Sequence, residues 1–400
     1  MPALCYPSDA MHYDFDAVVD RHNTNSAKWD FCDKFFGTKD VLPLWVADMD
    51  FRSPQPVIDA VRRVAEHGIF GYTGIPQSYY EAAIDWMKRR YDWEIQKDWF
   101  VFTPGVVTAI NMLIRTFAQP GDGIVLQTPV YYPFFSCVNN NDCRVIDNPL
   151  RFENGQYVMD LDDLEKKIDE RTKMIILCSP HNPVGRVWTR DELTKLGVLC
   201  LRKNLLIIAD EIHEDIVYPG SNHTAFASIA PEFADRTITC TSASKTFNLA
   251  GLHTSNIIIS NQDLRERFQK TLTRCAVHSA DPFGIAAAEA AFRYGEDWLR
   301  QLIAYLQGNL SFMTSRIEKR MPQVDLIQPQ GTYLAWLDCR HIGITQPELK
   351  DSMIYKAKLG IEEGMPFGAK EPGYFRLNFA CPRATLQEAL ERLEKLVISR

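Results

Sequence analysis

Six short apolar runs alternate with mostly amphipathic stretches through the middle of this 400-residue chain. The runs lie at 99–102, 123–127, 173–179, 204–210, 237–242 and 255–260. A typical intervening stretch is TRDELTKLGVLCLRKN, and a helix is also predicted from Val106 to Phe117. Continuous apolar strands separated by helices are typical of a mostly parallel sheet covered on both faces. The sequence therefore predicts an α/β fold, in which ligands bind beyond the carboxyl ends of the strands.

The pattern changes after about residue 285. A long helical stretch, interrupted near Gly295, is followed by strand-like runs at 331–338 and 374–380 and by a closing helical stretch. This order is typical of a smaller α+β domain, and a chain of 400 residues exceeds the usual size of one core. The predicted organisation is an N-terminal arm at 1–50 that joins the small domain, a large domain at 51–285, and a small domain at 286–400.

Composition excludes several classes of function. The formal net charge of −7 argues against nucleic acid as the main partner, which would need a concentrated basic face. The N-terminal MPALCYPSDAMHYDFD lacks the features of a secretory signal, and no apolar run approaches the roughly 18 residues of a membrane span. Ten scattered cysteines without a Cys-x-x-Cys pair favour reduced thiols in the cytoplasm, and the histidines show no metal-ligand spacing, so no metal is expected.

Two strand-end motifs have residues suited to an anionic, ring-shaped ligand. In TPGVVTA, Gly105 permits close approach of a ligand to the N–H groups that begin the next helix, which is a site for a phosphate-sized anion. In SPHNPVGRVW, two prolines fix a loop that presents the amide of Asn182 to a ring or substrate oxygen. Each motif has an alternative interpretation, because glycines before helices and proline-rich turns are common.

Two further motifs supply an acid and an amine. In IIADEIHEDIVY, Asp210 suits a protonated ring nitrogen and His213 could stack or hydrogen-bond nearby, although a capping aspartate is the alternative. In TSASKTFNLAGLH, Ser242 and Ser244 are hydroxyl donors for phosphate. Lys245 in the same motif could form an imine with an aldehyde if its pKa is lowered, although a polar loop after a strand is the alternative. Together the four motifs match the requirements of pyridoxal 5′-phosphate.

Over nearly its whole length the chain resembles the fold-type I pyridoxal-phosphate enzymes of the class I/II aminotransferase superfamily. Within that superfamily it is most similar to the C–S lyase branch of cystathionine β-lyase-like enzymes. The motifs that carry the resemblance are WDFCDKF, VADMDF, GYTG, TPVYYPFF, SPHNPVGRVW, DEIHEDI, SKTFNLAGL, GTYLAWLD and FRLNFACP. The resemblance implies a large domain with a seven-stranded, mostly parallel sheet and a smaller α+β domain.

The resemblance also implies roles for the residues that bind the cofactor. Lys245 would bond to the cofactor aldehyde and move protons, and Asp210 would pair with the pyridine nitrogen. The other cofactor-binding residues implied are Val106 and Val107 through their N–H groups, Tyr131 by stacking, Asn182, His213, Ser242, Ser244, and Tyr72 toward the neighbouring subunit's phosphate. Many superfamily members carry a phosphate-binding arginine eight residues after the lysine, whereas this chain has His253.

For the substrate, the resemblance implies that Arg376 binds the α-carboxylate as a bidentate fork, with Tyr132, Asn182 and Ala47 nearby. Tyr132 is also implied in catalysis. Ordinary packing or solvent exposure is the alternative interpretation of the tyrosines and of Arg376. Arg274 has nothing that marks it as a second carboxylate-binding arginine.

The activity implied is β-elimination from L-cystathionine, L-cysteine or a cysteine S-conjugate, which gives a thiol or hydrogen sulfide, pyruvate and ammonia. An aminotransferase is the alternative within the fold, because both reactions share the steps up to removal of the α-proton. A regulatory pyridoxal-phosphate protein that acts on a transcription factor is the alternative of another class. The partners implied are a small sulfur amino acid and a second copy of the chain in a homodimer with shared active sites.

Overall fold

The computed structural model describes residues 11–277 and 280–398. The first ten residues, which include Cys5 and most of the segment used to judge secretion, lie outside the described residues. Within the described part, no helix has the length and the apolar character needed to cross a membrane. All nine cysteines there are free, and eight of them are buried.

A seven-stranded sheet forms the centre of the molecule. In spatial order its strands are Phe100–Thr103, Ser255–Ile258, Thr237–Thr241, Leu206–Asp210, Thr172–Cys178, Gly123–Leu126 and Arg144–Asp147. Only Ser255–Ile258 runs antiparallel to its neighbours. The predicted mostly parallel sheet is therefore confirmed. Its seventh strand, Arg144–Asp147, has no counterpart in the sequence prediction, because it is a short edge strand with charged, exposed ends.

Helices cover both faces of this sheet because the strand side chains alternate in direction. Ile124 and Leu126 face the cluster that includes helix Val106–Phe117, and Val125 faces the cluster on the other side, which includes helix Arg190–Arg202. The first of these helices has the predicted bounds. The second begins with a capping box between Thr189 and Glu192.

The described ranges contain fifteen α-helices. They are Ala27–Asp30, Cys32–Phe36, Gln55–His67, Gln77–Tyr91, Val106–Phe117, Pro133–Asn139, Leu161–Lys167, Arg190–Arg202, Pro231–Ala234, Ala243–Thr246, Gln262–Arg274, Pro282–Tyr294, Glu296–Arg320, Gln346–Asp351 and Arg383–Ile398. The predicted interruption at Gly295 separates two of them, where a Cβ would lie 2.3 Å from the Phe247 ring. This close approach explains why a glycine stands at the junction.

A second, antiparallel sheet lies in the C-terminal part. Its strands in spatial order are Asp325–Ile327, Leu334–Asp338, Tyr374–Asn378 and Glu362–Glu363. Two short pairs complete the strands, namely Leu42–Pro43 with Leu359–Gly360 and Arg151–Glu153 with Gln156–Val158. The first pair joins the N-terminal segment to the C-terminal part, which supports the proposed arm. The predicted boundary between the large and the small domain, at residue 286, falls inside helix Pro282–Tyr294. The division into domains stays a prediction.

Candidate active site

A cavity of about 400 Å³ opens at the carboxyl ends of the large sheet's central strands. Its volume is within the usual range for small-molecule sites. Ten of the predicted site residues line it, namely Ala47, Val106, Val107, Tyr131, Asn182, Asp210, His213, Ser242, Ser244 and Lys245. The structure therefore brings together residues that are up to 198 positions apart in the sequence.

Lys245 lies in the short helix Ala243–Thr246, directly after strand Thr237–Thr241. Its Nζ donates a hydrogen bond to the carbonyl oxygen of Ala47 at 2.7 Å. Burial lowers the pKa of Lys245 to about 8, with Asp48 and Asp210 opposing the shift and Arg376 adding to it. A neutral amine is the form that attacks an aldehyde, so this environment makes Lys245 a nucleophile near neutral pH.

Asp210 ends strand Leu206–Asp210, and its side chain is buried. Burial raises the pKa of its carboxyl group to about 7, although the Ile212 N–H, which donates to Oδ1 at 3.2 Å, and nearby Lys245 both act to lower it. Among the described residues Asp210 has this one hydrogen-bond donor, and a buried carboxylate with so few donors needs a proton or a cationic partner. A protonated ring nitrogen in the cavity would be such a partner.

The start of helix Val106–Phe117 faces the same cavity. Gly105 precedes it with φ 149°, a backbone conformation that favours glycine. The N–H groups of Val106, Val107 and Thr108 have no partner within the helix, and they lie at the positive end of its dipole. These features fit an anion such as a phosphate group.

The two predicted serine donors differ in their contacts. Ser242 Oγ donates to the Thr254 carbonyl at 2.6 Å and accepts the Ser244 N–H at 3.1 Å, so its hydroxyl proton is already engaged. The Ser244 hydroxyl has no hydrogen-bond partner in the described chain and borders the cavity. Ser244 is therefore the better candidate for an anion donor. His253 and Thr254 also line this part of the cavity.

Arg376 is 2% exposed and lies beside the cavity. Its Nη1 donates to Asn182 Oδ1 at 2.9 Å, and its Nη2 donates to the Trp45 carbonyl at 3.0 Å and also contacts Glu362. The bond to Arg376 occupies the Asn182 oxygen and leaves the amide nitrogen as the group available to a ligand. Among the described residues, no partner reaches the buried Nε of Arg376 or Nδ1 of His213.

The three predicted tyrosines are in different places. Tyr131 lines the main cavity, whereas Tyr132 lines a neighbouring cavity of about 280 Å³. Tyr72 is fully exposed and lies outside both. In a single chain, Tyr72 is therefore separate from the residues around Lys245. Arg274, at the end of helix Gln262–Arg274, does not line either cavity.

The segment around Ala47 is held by contacts that sequence patterns do not reveal. Asn248 donates from Nδ2 to the carbonyls of Met49 and Phe51, both at 2.9 Å. Asn378 donates to the carbonyls of Val46 and Asp48 at 2.7 and 2.6 Å. The Ala47 carbonyl is thereby fixed where it accepts from Lys245.

Sequence reasoning also missed Tyr333 and Glu362. The buried hydroxyl of Tyr333 donates to the Ala47 carbonyl at 3.0 Å, beside the bond from Lys245. Burial raises the pKa of Glu362, while its neighbour Arg376 acts in the opposite direction. Tyr333 lies in the motif GTYLAWLD, which is the signal that could have drawn attention to it. Glu362 lies in GIEEG, which has no pattern that indicates a functional site.

Three further titratable groups lie behind Asp210. Glu211, Glu214 and His223 have ligand-type atoms within 4.8 Å of one another. Glu211 accepts the Phe226 N–H at 2.8 Å and lies 3.3 Å from His223 Nε2, so these side chains brace the end of the strand. The expectation that the protein needs no metal stays a prediction.

These observations define the class of the site. A buried carboxylate, an amine of lowered pKa, unpaired helix N–H groups and an oriented amide at the ends of parallel strands fit pyridoxal 5′-phosphate. They define a fold-type I pyridoxal-phosphate site.

Comparison with known proteins agrees with this class. Residues 39–393 match the family described as aminotransferase class I and II. The chain is 42% identical over 381 residues to cystathionine beta-lyase PatB of Bacillus subtilis (strain 168), covering 95% of this chain and 98% of that protein. It is 34% identical over 384 residues to protein MalY of Escherichia coli (strain K12), covering 95% and 98%.

Solved structures agree as well. Cystalysin from Treponema denticola, which contains a pyridoxal 5′-phosphate cofactor, matches with a TM-score of 0.92 and 40% identity over 97% of this chain and 100% of that one. The PLP-bound C–S lyase from Staphylococcus hominis matches with a TM-score of 0.90 and 33% identity over 97% and 99%. The chain belongs to the aminotransferase class I and II family. The predicted superfamily, lyase branch, fold and cofactor are confirmed, whereas the roles of individual residues stay predictions.

Proposed function

We propose that the protein is a carbon–sulfur β-lyase that cleaves L-cystathionine, L-cysteine or a cysteine S-conjugate. The overall reaction consumes water and gives a thiol or hydrogen sulfide, pyruvate and ammonia. The observation that carries the proposal is the cavity that places Lys245 with Asp210 and Asn182, in a chain 42% identical to a cystathionine β-lyase. Bound pyridoxal phosphate supplies an electron sink that stabilises negative charge at the substrate Cα.

Arg376 binds the substrate carboxylate in this proposal. Its guanidinium is buried and is oriented by Asn182 and by the Trp45 carbonyl. A planar guanidinium is suited to a carboxylate because it offers parallel N–H donors. Binding at Arg376 directs the α-carbon of the amino acid toward the cavity that contains Lys245.

Lys245 moves the proton at the substrate Cα. Its lowered pKa of about 8 means that a substantial fraction of the amine is neutral at mildly alkaline pH and can accept that proton. The Ala47 carbonyl accepts a hydrogen bond from Nζ, which fixes the position of the amine. Asp210 would keep the ring nitrogen of the cofactor protonated, because it is the buried carboxylate of the cavity.

Tyr132 is proposed to protonate the departing sulfur. It lies at the neighbouring cavity, where the group attached to sulfur would extend. Burial, together with Glu362, raises the pKa of Tyr132, so its hydroxyl stays protonated at neutral pH and can donate. Lys245 is the other available donor.

A substrate test separates this activity from amino transfer. The protein incubated with L-cystathionine is expected to release pyruvate without any added keto acid, because elimination leaves nitrogen as ammonia. L-Alanine is the matched control, since it lacks a leaving group at Cβ. Pyruvate release across a panel of cysteine, cystathionine and S-conjugates ranks the substrates. Turnover that requires a keto acid and yields a new amino acid would identify an aminotransferase instead.

The active unit is proposed to be a homodimer with shared sites. Ile69, Phe70 and Tyr72 are all exposed within four residues, an apolar patch of the kind that protein interfaces cover. Tyr72 is then available to a phosphate group in the site of a second copy.

A cytoplasmic location is proposed as well, because the eight buried cysteines are free thiols.

Mixing two inactive variants tests the shared site. Tyr72→Phe and Lys245→Ala are each expected to be nearly inactive alone. After subunit exchange, half of the sites in a heterodimer lack both changes, so activity is expected to return in part. Tyr355→Phe, at another exposed tyrosine, is the matched control and should keep full activity by itself. Full activity in a demonstrated monomer, or no recovery after confirmed exchange, would contradict this assignment.

A further inference from the structure

Glu362 and Arg376 are direct partners in the small sheet. Their Cα atoms face each other across the antiparallel pairing of Glu362–Glu363 with Tyr374–Asn378, and their side chains form an ion pair. Facing residues of an antiparallel pair project on the same side of the sheet. The register therefore places a carboxylate on the guanidinium that is proposed to bind the substrate.

Three of the four N–H groups on the two terminal nitrogens of Arg376 have a protein acceptor, and both of those on Nη2 do. Asn182 Oδ1 accepts a hydrogen bond from Nη1 at 2.9 Å. The Trp45 carbonyl accepts one from Nη2 at 3.0 Å, and the Glu362 carboxylate also accepts from Nη2. Of these three acceptors, Glu362 alone is charged. A carboxylate that forms two bonds with the guanidinium uses Nη2 together with Nη1 or Nε, so it must replace the Trp45 carbonyl or Glu362 on Nη2.

Glu362 is the acceptor that leaves Arg376 when a substrate carboxylate binds, because the two carboxylates repel each other. The guanidinium is 2% exposed, and a buried charge is costly without a partner, so Glu362 stabilises Arg376 while the site has no substrate. Once a substrate carboxylate binds, two carboxylates would share one buried cation and repel each other. The neutral amide and carbonyl acceptors have no such conflict.

Glu362 has space to move away. Its side chain is 14% exposed and borders the cavity of about 280 Å³ that is lined mainly by apolar side chains, including Trp45, Phe367 and Phe375. The hydroxyl of Tyr132 lies at this cavity and is within hydrogen-bonding reach of Glu362. A rotated Glu362 would thus keep one donor and some contact with solvent.

We propose that Glu362 occupies the carboxylate position of Arg376 in the free enzyme and is displaced by the carboxylate of the substrate. This inference rests on the proposed substrate-binding role of Arg376. Glu362 is then a specificity-determining residue, because a carboxylate ligand must compete with it. Ligands that make further contacts in the main cavity win this competition, whereas simple carboxylates bind weakly.

The test measures the binding of an unreactive carboxylate to the cofactor-loaded enzyme. Propionate is the probe, propionamide is its neutral counterpart, and calorimetry gives the dissociation constants. Glu362→Gln keeps an acceptor for Arg376 but removes the charge, so it is expected to bind propionate about tenfold more tightly. Its KM for a cysteine S-conjugate should fall as well. Propionamide binding should not change.

Two further variants act as controls. Glu363→Gln changes the next residue, which pairs with Lys350, and should bind propionate like the parent. Glu362→Asp withdraws the carboxylate by one methylene group and should tighten propionate binding by a smaller factor. Unchanged or weaker propionate binding by both Glu362 variants, with normal cofactor absorption, would overturn the inference and leave Glu362 as a residue that orients Arg376.

Arg376→Lys separates this inference from the proposed function. If that variant binds propionate as tightly as the parent, Arg376 is not the carboxylate site and the proposed substrate position is wrong. If Arg376→Lys loses propionate binding but the Glu362 variants show no gain, only the role of Glu362 fails. Tighter binding by Glu362→Gln that is lost when Arg376→Lys is added supports both.

Discussion

Lys245→Ala is expected to eliminate turnover and the visible absorption of the bound cofactor, while the protein stays folded. Only an amine can bond to the cofactor aldehyde and then carry the Cα proton. The expected loss is about 10⁴-fold or more in kcat, since proton transfer contributes roughly 10²- to 10⁴-fold and the variant also loses the bond to the cofactor aldehyde. The measurements are the absorption spectrum of the purified variant and its rate of pyruvate release.

The control for this variant is Lys270→Ala, which removes an exposed lysine on helix Gln262–Arg274. That variant should keep its colour and its activity. Circular dichroism and thermal unfolding should show that Lys245→Ala is folded, because the side chain donates a hydrogen bond to the Ala47 carbonyl and lies in the cavity rather than in a packed core. A Lys245→Ala protein that is coloured and active would remove Lys245 from the mechanism.

Asp210→Asn is expected to keep the cofactor but to lose most of the activity. A neutral amide does not hold a proton on the ring nitrogen, so negative charge at the substrate Cα is less stabilised. A loss of about 3 kcal/mol of this stabilisation corresponds to roughly a hundredfold decrease in kcat. Steady-state kinetics on the cofactor-saturated variant provide the measurement, and parent-like kinetics would exclude Asp210 from this role.

The pH dependence of unfolding is a control for Asp210→Asn. The pKa of Asp210 is raised by burial from 3.8 to about 7 in the folded cofactor-free protein. The folded state therefore binds more protons than the unfolded state between these values, and stability falls as the pH rises through that window. The amide in Asp210→Asn does not titrate, so the variant lacks this pH dependence of the free energy of unfolding. The cofactor-free variant should therefore be at least as stable as the parent at pH 7. A large loss of stability there would mean that the activity loss reflects misfolding.

Local patterns were enough to predict much of the fold. Helix Val106–Phe117 has the predicted bounds, and strand Gly123–Leu126 agrees with its apolar run to within one residue, because both are determined by the spacing of buried side chains. Strand Arg144–Asp147 was not predicted, since one buried residue among four carries no periodic signal. Its place depends on pairing with a neighbouring strand rather than on its own sequence.

The candidate site was predictable only where its residues stand in motifs. Asp210 ends a strand, Lys245 and Asn182 each follow one, and the resemblance of the chain to a family implied their roles. Glu362 depends on the register between two strands of the small sheet, which no local pattern determines. The engaged hydroxyl of Ser242 likewise depends on the position of the Thr254 carbonyl.

The contacts around Ala47 have a consequence for folding. The carbonyl that receives Lys245 belongs to a segment held by Asn248, next to the lysine's own short helix, and by Asn378, which ends a strand of the small sheet. The carbonyl is therefore in place only when the two sheets have folded against each other. Uptake of the cofactor should then report that both sheets have folded.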